Sequence, residues 1–430
     1  MRRTNVQRRS VRRLVGLMLA TLVVLVPVTG GGVAAAAASA AGVPAPVVLF
    51  PGFHLGKLRV EVRDQHTDPA CPASGTFEDW SGNPARSAFS QVCRDELMTL
   101  RQDRRAGVAW ADRFSEQPGV TVTLPEYGQP DSAPFYEPMF TRLQAAGLVR
   151  DRTLRVADYD SRLTPDLGGF LARTTRLIEQ TARAAGGRPV QLVGHSNGPL
   201  YAQYLLTHTS AAWKARYVHG FTPIAGNFPG QGLLYPLLFT GLNTQDFTLP
   251  TTRANARSSA RMYLSAPSSY MSAATPQAFG RSEVVVRDDS TGRSYTPADY
   301  PQLLRDAGLP AALELAQHYI GLVRYAPVAW FPDVDVTAER GSGIATAVGF
   351  ALRDLTVGQL LTAHSEVFTR DGDVNQEDTT NIAVLAWQGM RCFRFRLTDN
   401  PGVDHFSLPS DPAVLDRLVS ELRRPRSACQ

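Results

Sequence analysis

Gly194-His195-Ser196-Asn197-Gly198 is the stretch of this 430-residue chain best suited to covalent chemistry. A serine hydroxyl becomes a useful nucleophile when a sharp turn lifts it clear of its neighbours and a base takes its proton. The apolar, β-branched run Val190-Gln191-Leu192-Val193 precedes the motif, and Leu200, Tyr201, Tyr204 and Leu205 follow at helical spacing. Ser196 therefore falls at a strand-to-helix turn, whereas a bare pentapeptide of this form is as often a plain turn. Gly194 and Gly198 are the small neighbours that a positive-φ turn between strand and helix requires. The N–H of Asn197 would then point to where an oxyanion forms, and Pro199 suits a first helical turn that has no partner for its missing donor. A second oxyanion donor is expected after an earlier apolar strand, Pro46-Val47-Val48-Leu49-Phe50, where Pro51-Gly52-Phe53 makes the backbone of Phe53 the candidate.

Acyl transfer also needs an imidazole base and a carboxylate that orients it. Of eight histidines, His195 adjoins Ser196 but points away from it on a sharp turn, which leaves it to pack beneath the elbow. His54 and His66 lie in early loops, and His208, His219, His318 and His364 sit on expected helices or strands. Only His405, in Pro401-Gly402-Val403-Asp404-His405-Phe406, follows a last strand and precedes a closing helix over Pro412 to Leu422. For the acid, Asp371 and Asp373 both follow a late strand, so the order Ser, Asp, His of an α/β hydrolase is met by either. The Asp-x-x-Val spacing from Asp371 to Val374 speaks for Asp371, and periodicity does not decide between them.

These groups need a mostly parallel sheet to hold them. Strands are expected at Val47 to Phe50, Val120 to Leu124, Leu154 to Ala157, Val190 to Val193 and Tyr217 to Ile224, with helices around Phe140 to Leu148 and over Leu167 to Ala185. The sheet is expected to resume at Asp333 to Thr337, His364 to Phe368 and Phe393 to Leu397. Between Gly226 and Pro332 the alternation fails, which suggests an inserted cap. Its apolar run Leu233 to Phe239 reads equally as a mobile lid or a buried helix. Phe77-Glu78-Asp79-Trp80 reads either as an exposed aromatic loop in contact with lipid or as an ordinary loop with Trp80 in the core.

The formal charge of +5 invites a nucleic-acid or anionic-membrane reading, but six arginines and no acid lie within the first thirteen residues, and +5 − 6 = −1. The remainder gives no polybasic argument, and no nucleic-acid partner is expected. Those arginines, the apolar run Leu14 to Val28 and the Ala-rich stretch to Ala40 read as an export leader, of Sec or twin-arginine type, with cleavage near Ala40. A secreted chain of bacterial type with four cysteines is expected to be oxidised. Nearest-neighbour pairing, Cys71–Cys93 and Cys392–Cys429, is the expectation among three connectivities. Without Cys-x-x-Cys or closely spaced His, no metal site is expected, and the proposed chemistry requires no cofactor.

Over nearly the whole mature length the chain resembles the lecithin:cholesterol acyltransferase and lysosomal phospholipase A2 family of α/β hydrolases. The resemblance is carried by Val47 to Phe50 with Pro51-Gly52, Leu55-Gly56 and Leu58, the early cysteine pair, Ala157-Asp158-Tyr159-Asp160 with Arg162, and the elbow with Tyr201 and Tyr204. Trp213-Lys214 with Tyr217, Tyr300 to Gly308, Gly341-Ser342-Gly343, Asp371-Gly372-Asp373, Trp387-Gln388 and His405 continue it in order. It implies an α/β-hydrolase fold with a mostly parallel central sheet, helices on both faces and a cap. It also implies a lipid acyl-ester substrate, an alcohol or sterol acceptor, and Asp373 as the acid with Asp371 in reserve. The chain departs from the family at Val374-Asn375-Gln376, at Ala225-Gly226-Asn227-Phe228-Pro229-Gly230 where the animal enzymes carry Pro-Trp-Gly-Gly, and at Cys392 and Cys429. The expected division is a leader over 1–40, core over 41–225 with a loop closed between 71 and 93, cap over 226–332 and core over 333–430. A secreted esterase or amidase for a soluble acyl compound, and a lipid-binding hydrolase-like protein without turnover, are the alternatives.

Overall fold

The computed structural model describes residues 42–427 apart from 84–86, 229, 280–281, 323–330, 362–364 and 375–382. The expected leader and Cys429 lie outside the described residues, as does His364. In chain order the strands are β1 Val47–Phe50, β2 Leu58–Val62, β3 Gly75–Asp79, β4 Arg101–Gln102, β5 Phe114–Ser115, β6 Val120–Thr123, β7 Leu154–Val156, β8 Val190–His195, β9 Val218–Ile224, β10 Val286–Asp288, β11 Arg293–Tyr295, β12 Val336–Ser342, β13 Ile344–Leu352, β14 Val367–Gly372 and β15 Phe395–Pro401.

The central sheet has the order β15-β12-β9-β8-β1-β7, and every neighbouring pair is parallel. Its middle strands β1 and β8 are buried at every position, as a parallel sheet covered on both faces demands. Alternation sorts the side chains. Val48 and Phe50 pack with Leu177, Ile178 and Leu205 of the helices Phe170–Ala184 and Gly198–Thr207 on one face. Val47 and Leu49 pack with Phe140, Leu143, Leu415 and Leu418 of the helices Glu137–Ala145 and Pro412–Glu421 on the other. Such a three-layer arrangement is the expected α/β-hydrolase architecture, and it leaves the carboxyl ends of β1, β8 and β12 together at one edge.

Several strand expectations are corrected. β6 joins an antiparallel sheet β3-β2-β6 rather than the central one. β14 likewise leaves the central sheet and pairs antiparallel with β13 in the four-stranded sheet β11-β10-β13-β14. The central sheet resumes at Val336, not Asp333, and its last strand begins at Phe395, not Phe393. Apolar alternation alone does not say which partner a strand finds, so a strand can be real and its sheet misassigned.

The four-stranded sheet takes β10 and β11 from inside 226–332 and β13 and β14 from beyond it. One hydrophobic cluster joins it to the helices Leu234–Thr240, Arg253–Ser265 and Tyr300–Asp306 and to the 71–93 region. Leu233 to Phe239 is thus mainly a buried helix, with Tyr235, Leu238 and Phe239 in that core. Phe77 and Trp80 are also buried, which removes the exposed aromatic loop. The Cys71–Cys93 disulfide is present. Cys392 is also disulfide-bonded, and its expected partner lies outside the described residues.

Candidate active site

Ser196 sits at φ 60° between β8 and the helix that starts at Gly198. That left-handed turn is held by the Ser196 N–H donating to the Ile224 carbonyl at 3.0 Å and by the Asn227 N–H donating to the Ser196 carbonyl at 3.3 Å. The flanking glycines are required by space. A Cβ on Gly198 would lie 2.1 Å from the Phe50 oxygen, and one on Gly194 would lie 2.8 Å from the Pro199 nitrogen. Gly52 packs directly on the elbow, since a Cβ there would meet that of Ser196 at 3.0 Å.

His405 and Asp373 meet at the carboxyl edge. The His405 Nδ1–H donates to Asp373 Oδ2 at 3.1 Å, and the His405 backbone N–H donates to the Asp373 carbonyl at 2.8 Å. Both residues are almost fully buried. Their approach depends on Gly341: a Cβ there would lie 2.7 Å from that of Asp373 and 2.4 Å from the Val403 carbonyl oxygen. Asp371, still on β14, is exposed and accepts from the Gly343 N–H at 3.3 Å. The two candidate acids thus occupy different surroundings, and Asp373 is the one against imidazole.

Ser196, His405, Phe53 and Asn197 line one cavity. Among the described residues the N–H groups of Phe53 and Asn197 donate to no protein acceptor, which leaves both available to a ligand. The loop bearing Phe53 is braced from outside. The Tyr159 hydroxyl donates to the Pro51 carbonyl at 2.6 Å, and its ring stacks on Tyr201 with centroids 3.6 Å apart. Arg162 bonds both Asp160 and Glu116 and donates to the Met98 carbonyl at 2.9 Å, a buried cation with its charge and donors satisfied.

Two contributors were not assigned from the sequence as they stand here. His195 is buried, yet it is more than packing: its Nε2 lies 2.9 Å from the His405 carbonyl and its Nδ1 lies 2.9 Å from the Tyr136 hydroxyl. Tyr136 accepts from the Gly52 N–H at 2.8 Å, so its own proton goes to Nδ1 and the His195 Nε2–H goes to His405. Burial holds the His195 pKa well below its ordinary value, and His405 and its carbonyl act in opposite directions on it. It stays neutral. The chain Gly52, Tyr136, His195, His405 therefore ties the loop of Phe53 to the loop of His405 through the elbow. The residues around Tyr136 carry no local motif that announces this, and it becomes visible only in three dimensions.

The cavity is lined both by apolar Leu55, Leu233, Leu237, Leu242, Phe247 and Phe406 and by polar Asn197, Asn227, Gln231, Ser268, Ser269 and Ser272. Its free volume is about 70 Å³, below the 150 Å³ or so that holds a benzene ring and the 300 Å³ or more usual for a ligand pocket. Among the described residues no cluster of His, Cys, Asp or Glu is arranged to hold a metal.

The family model for lecithin:cholesterol acyltransferase matches residues 125–320, which contain Ser196 and most of the 226–332 segment. Over that stretch the chain is similar to the lecithin:cholesterol acyltransferase family. It is 28% identical over 402 residues to lecithin-cholesterol acyltransferase-like 1 of Oryza sativa subsp. japonica, covering 90% of this chain and 88% of that one. It is 27% identical to the lysosomal phospholipase A and acyltransferase of Mus musculus, covering 71% and 74% of the two chains. With the human phosphatidylcholine-sterol acyltransferase the identity is 24%, over 71% and 68%. A chain in the crystal structure of the Tle4-Tli4 complex superposes with TM-score 0.53 at 13% identity, covering 89% of this chain and 98% of that one, a likeness of fold alone. These relatives are named for acyltransferase and phospholipase activity.

Proposed function

We propose that the protein is an exported, serine-dependent lipid acyl-ester hydrolase and O-acyltransferase. Ser196 Oγ attacks the ester carbonyl, His405 takes the proton, and Asp373 fixes the imidazole tautomer and stabilises imidazolium. The amides of Phe53 and Asn197 hold the oxyanion. Collapse expels the alcohol with the proton returned by His405, leaving an acyl group on Ser196, and water or a second alcohol then takes it. The observation that carries this reading is the His405–Asp373 hydrogen bond beside a cavity that also holds a serine at φ 60°. Similarity to relatives named for phospholipid and sterol chemistry supports a lipid substrate. The Cys71–Cys93 disulfide supports export, as such bonds persist in oxidising compartments.

A long acyl chain does not fit 70 Å³, so the reading requires the helix Leu234–Thr240 and the loop around Phe247 to move apart as a cap when lipid enters. The same small volume favours a second reading, an esterase for short soluble acyl compounds. The mature protein incubated with phosphatidylcholine vesicles, beside a Ser196→Ala variant, separates the two. Fatty acid released from vesicles only by the wild-type chain supports the lipid reading. Turnover of short monomeric esters with none on vesicles supports the other and overturns the first.

A further inference from the structure

The polar lining of the cavity holds more hydrogen-bonding capacity than the protein uses. Asn197 Oδ1 is doubly satisfied, by the Ser272 hydroxyl at 2.9 Å and the Asn227 amide at 3.3 Å. Beside it, the Oγ atoms of Ser268 and Ser269, the Oδ1 of Asn227 and the hydroxyl of Tyr263 have no partner and almost no contact with solvent. The four residues are 1%, 3%, 3% and 3% exposed. A buried polar group without a partner destabilises the fold. Four such groups line the cavity that also holds Ser196 and Asn197. A ligand that completes them relieves that destabilisation.

The chemistry of the lining limits that ligand. Serine and tyrosine hydroxyls both donate and accept, and an amide oxygen accepts. Among the described lining residues there is no Asp, Glu, Lys or Arg, so the cavity suits a neutral group with several hydroxyls and not a phosphate or an ammonium. The apolar lining residues Leu233, Leu237, Leu242 and Phe247 suit the acyl chain, which leaves the polar ones for the alcohol side of the reaction.

We propose that Asn227, Ser268, Ser269 and Tyr263 form an alcohol subsite for a neutral polyol with free neighbouring hydroxyls, such as glycerol or a hexose, acting as acyl acceptor. The proposal rests on the acyl-enzyme reading above. One polyol hydroxyl oxygen attacks the Ser196 ester carbonyl and its proton passes to His405. The bond from carbonyl carbon to Ser196 Oγ breaks, the proton returns to Ser196, and the polyol ester leaves. The remaining hydroxyls pair with the unsatisfied groups. A site that hydrogen-bonds a hydroxyl discriminates strongly against the analogue that lacks it, because its own polar groups are then stranded.

Glycerol and propan-1-ol share three carbons and differ in hydroxyl number, so they form a matched pair. The mature protein would be given phosphatidylcholine vesicles and equal concentrations of both alcohols, and the glyceryl and propyl esters quantified by mass spectrometry. Their ratio is set after the acyl-enzyme forms, so it does not depend on how much forms. The expected ratio, corrected for hydroxyl number, favours glycerol by about tenfold or more. It should fall towards unity in Ser268→Ala/Ser269→Ala and, by a separate route, in Asn227→Leu. Fluorophosphonate labelling of Ser196 in every sample reports whether the elbow is folded and reactive. Equal esters from the wild-type protein, or an unchanged ratio in a labelled variant, would overturn the subsite while leaving the acyl-enzyme intact. Absence of labelling and of any acyl product from the wild-type protein would instead overturn the acyl-enzyme reading itself.

Discussion

Asp373 and Asp371 are two residues apart, and their surroundings predict opposite consequences for the same substitution. Asp373 is buried against the His405 imidazole, so Asp373→Asn should lower kcat by about 10⁴ by favouring the wrong tautomer. Asp371→Asn, on an exposed side chain, should stay within about twofold. Steady-state rates on vesicles decide it, and equal losses from both would contradict the assignment. Tyr136→Phe removes one oxygen that serves both the Gly52 N–H and His195 Nδ1. Each stranded group costs about 1–3 kcal/mol, and the loops of Phe53 and His405 lose a common anchor. The expected result is a lower melting temperature and a kcat reduced about tenfold at nearly constant KM; a fall in KM affinity alone would argue for a role in binding. His405 was legible in the sequence because one imidazole alone followed a last strand, and Ser196 because its motif is local. Tyr136 and Ser272 were not, because nothing in their immediate neighbours records contacts made across 59 or 75 positions.

At the scale of elements, the helices Gln91–Met98 and Arg253–Ser265 are joined through a buried carboxyl. The Ser258 hydroxyl donates to Asp95 Oδ2 at 2.8 Å, and burial, with Asp79 nearby, raises the Asp95 pKa from 3.8 to about 7 against the stabilising pull of that hydrogen bond. The folded chain therefore keeps a proton that the unfolded chain releases. Stability from this group is full below pH 4, declines as the pH rises to about 7, and stays low above it. Asp95→Asn keeps the carbonyl acceptor for Ser258 and removes the ionisation. Its melting temperature should exceed that of the parent by a few degrees at pH 8 and match it at pH 4, and no gain at pH 8 would contradict the account. The buried His54 and His195 act in the other direction. Burial lowers both pKa values, so each loses stability as the pH falls below 6.5 and the unfolded imidazoles take up protons. Element identity was largely legible: β1, β8, β9 and the helices Phe170–Ala184 and Pro412–Glu421 lie close to where periodicity puts them. The partners of β6 and β14 were not, because pairing is decided by distant strands with the same alternation.

For the whole molecule, the question is how a chain with so small a cavity reaches lipid. Three hydrophobic clusters divide the work: two flank the central sheet, and a third holds the helices Leu234–Thr240, Arg253–Ser265 and Tyr300–Asp306, the disulfide region and the four-stranded sheet together. A boundary that lies between such cores is the natural place for motion, since few side chains must be unpacked. With about 70 Å³ free beside Ser196, turnover of a hexadecanoyl ester should rise about tenfold or more when vesicles are added, while a butanoyl ester changes little. Equal responses of the two chain lengths would mean that the cap does not gate entry. The central claim, that an acyl group passes through Ser196, is tested most directly by rapid quenching of the mature protein with phosphatidylcholine vesicles and peptide mapping by mass spectrometry. The expected result is a fatty-acyl mass on the peptide containing Ser196, chased by water or alcohol and absent from Ser196→Ala together with product. Undiminished fatty-acid release by Ser196→Ala, or an acyl mass on another residue, would contradict it.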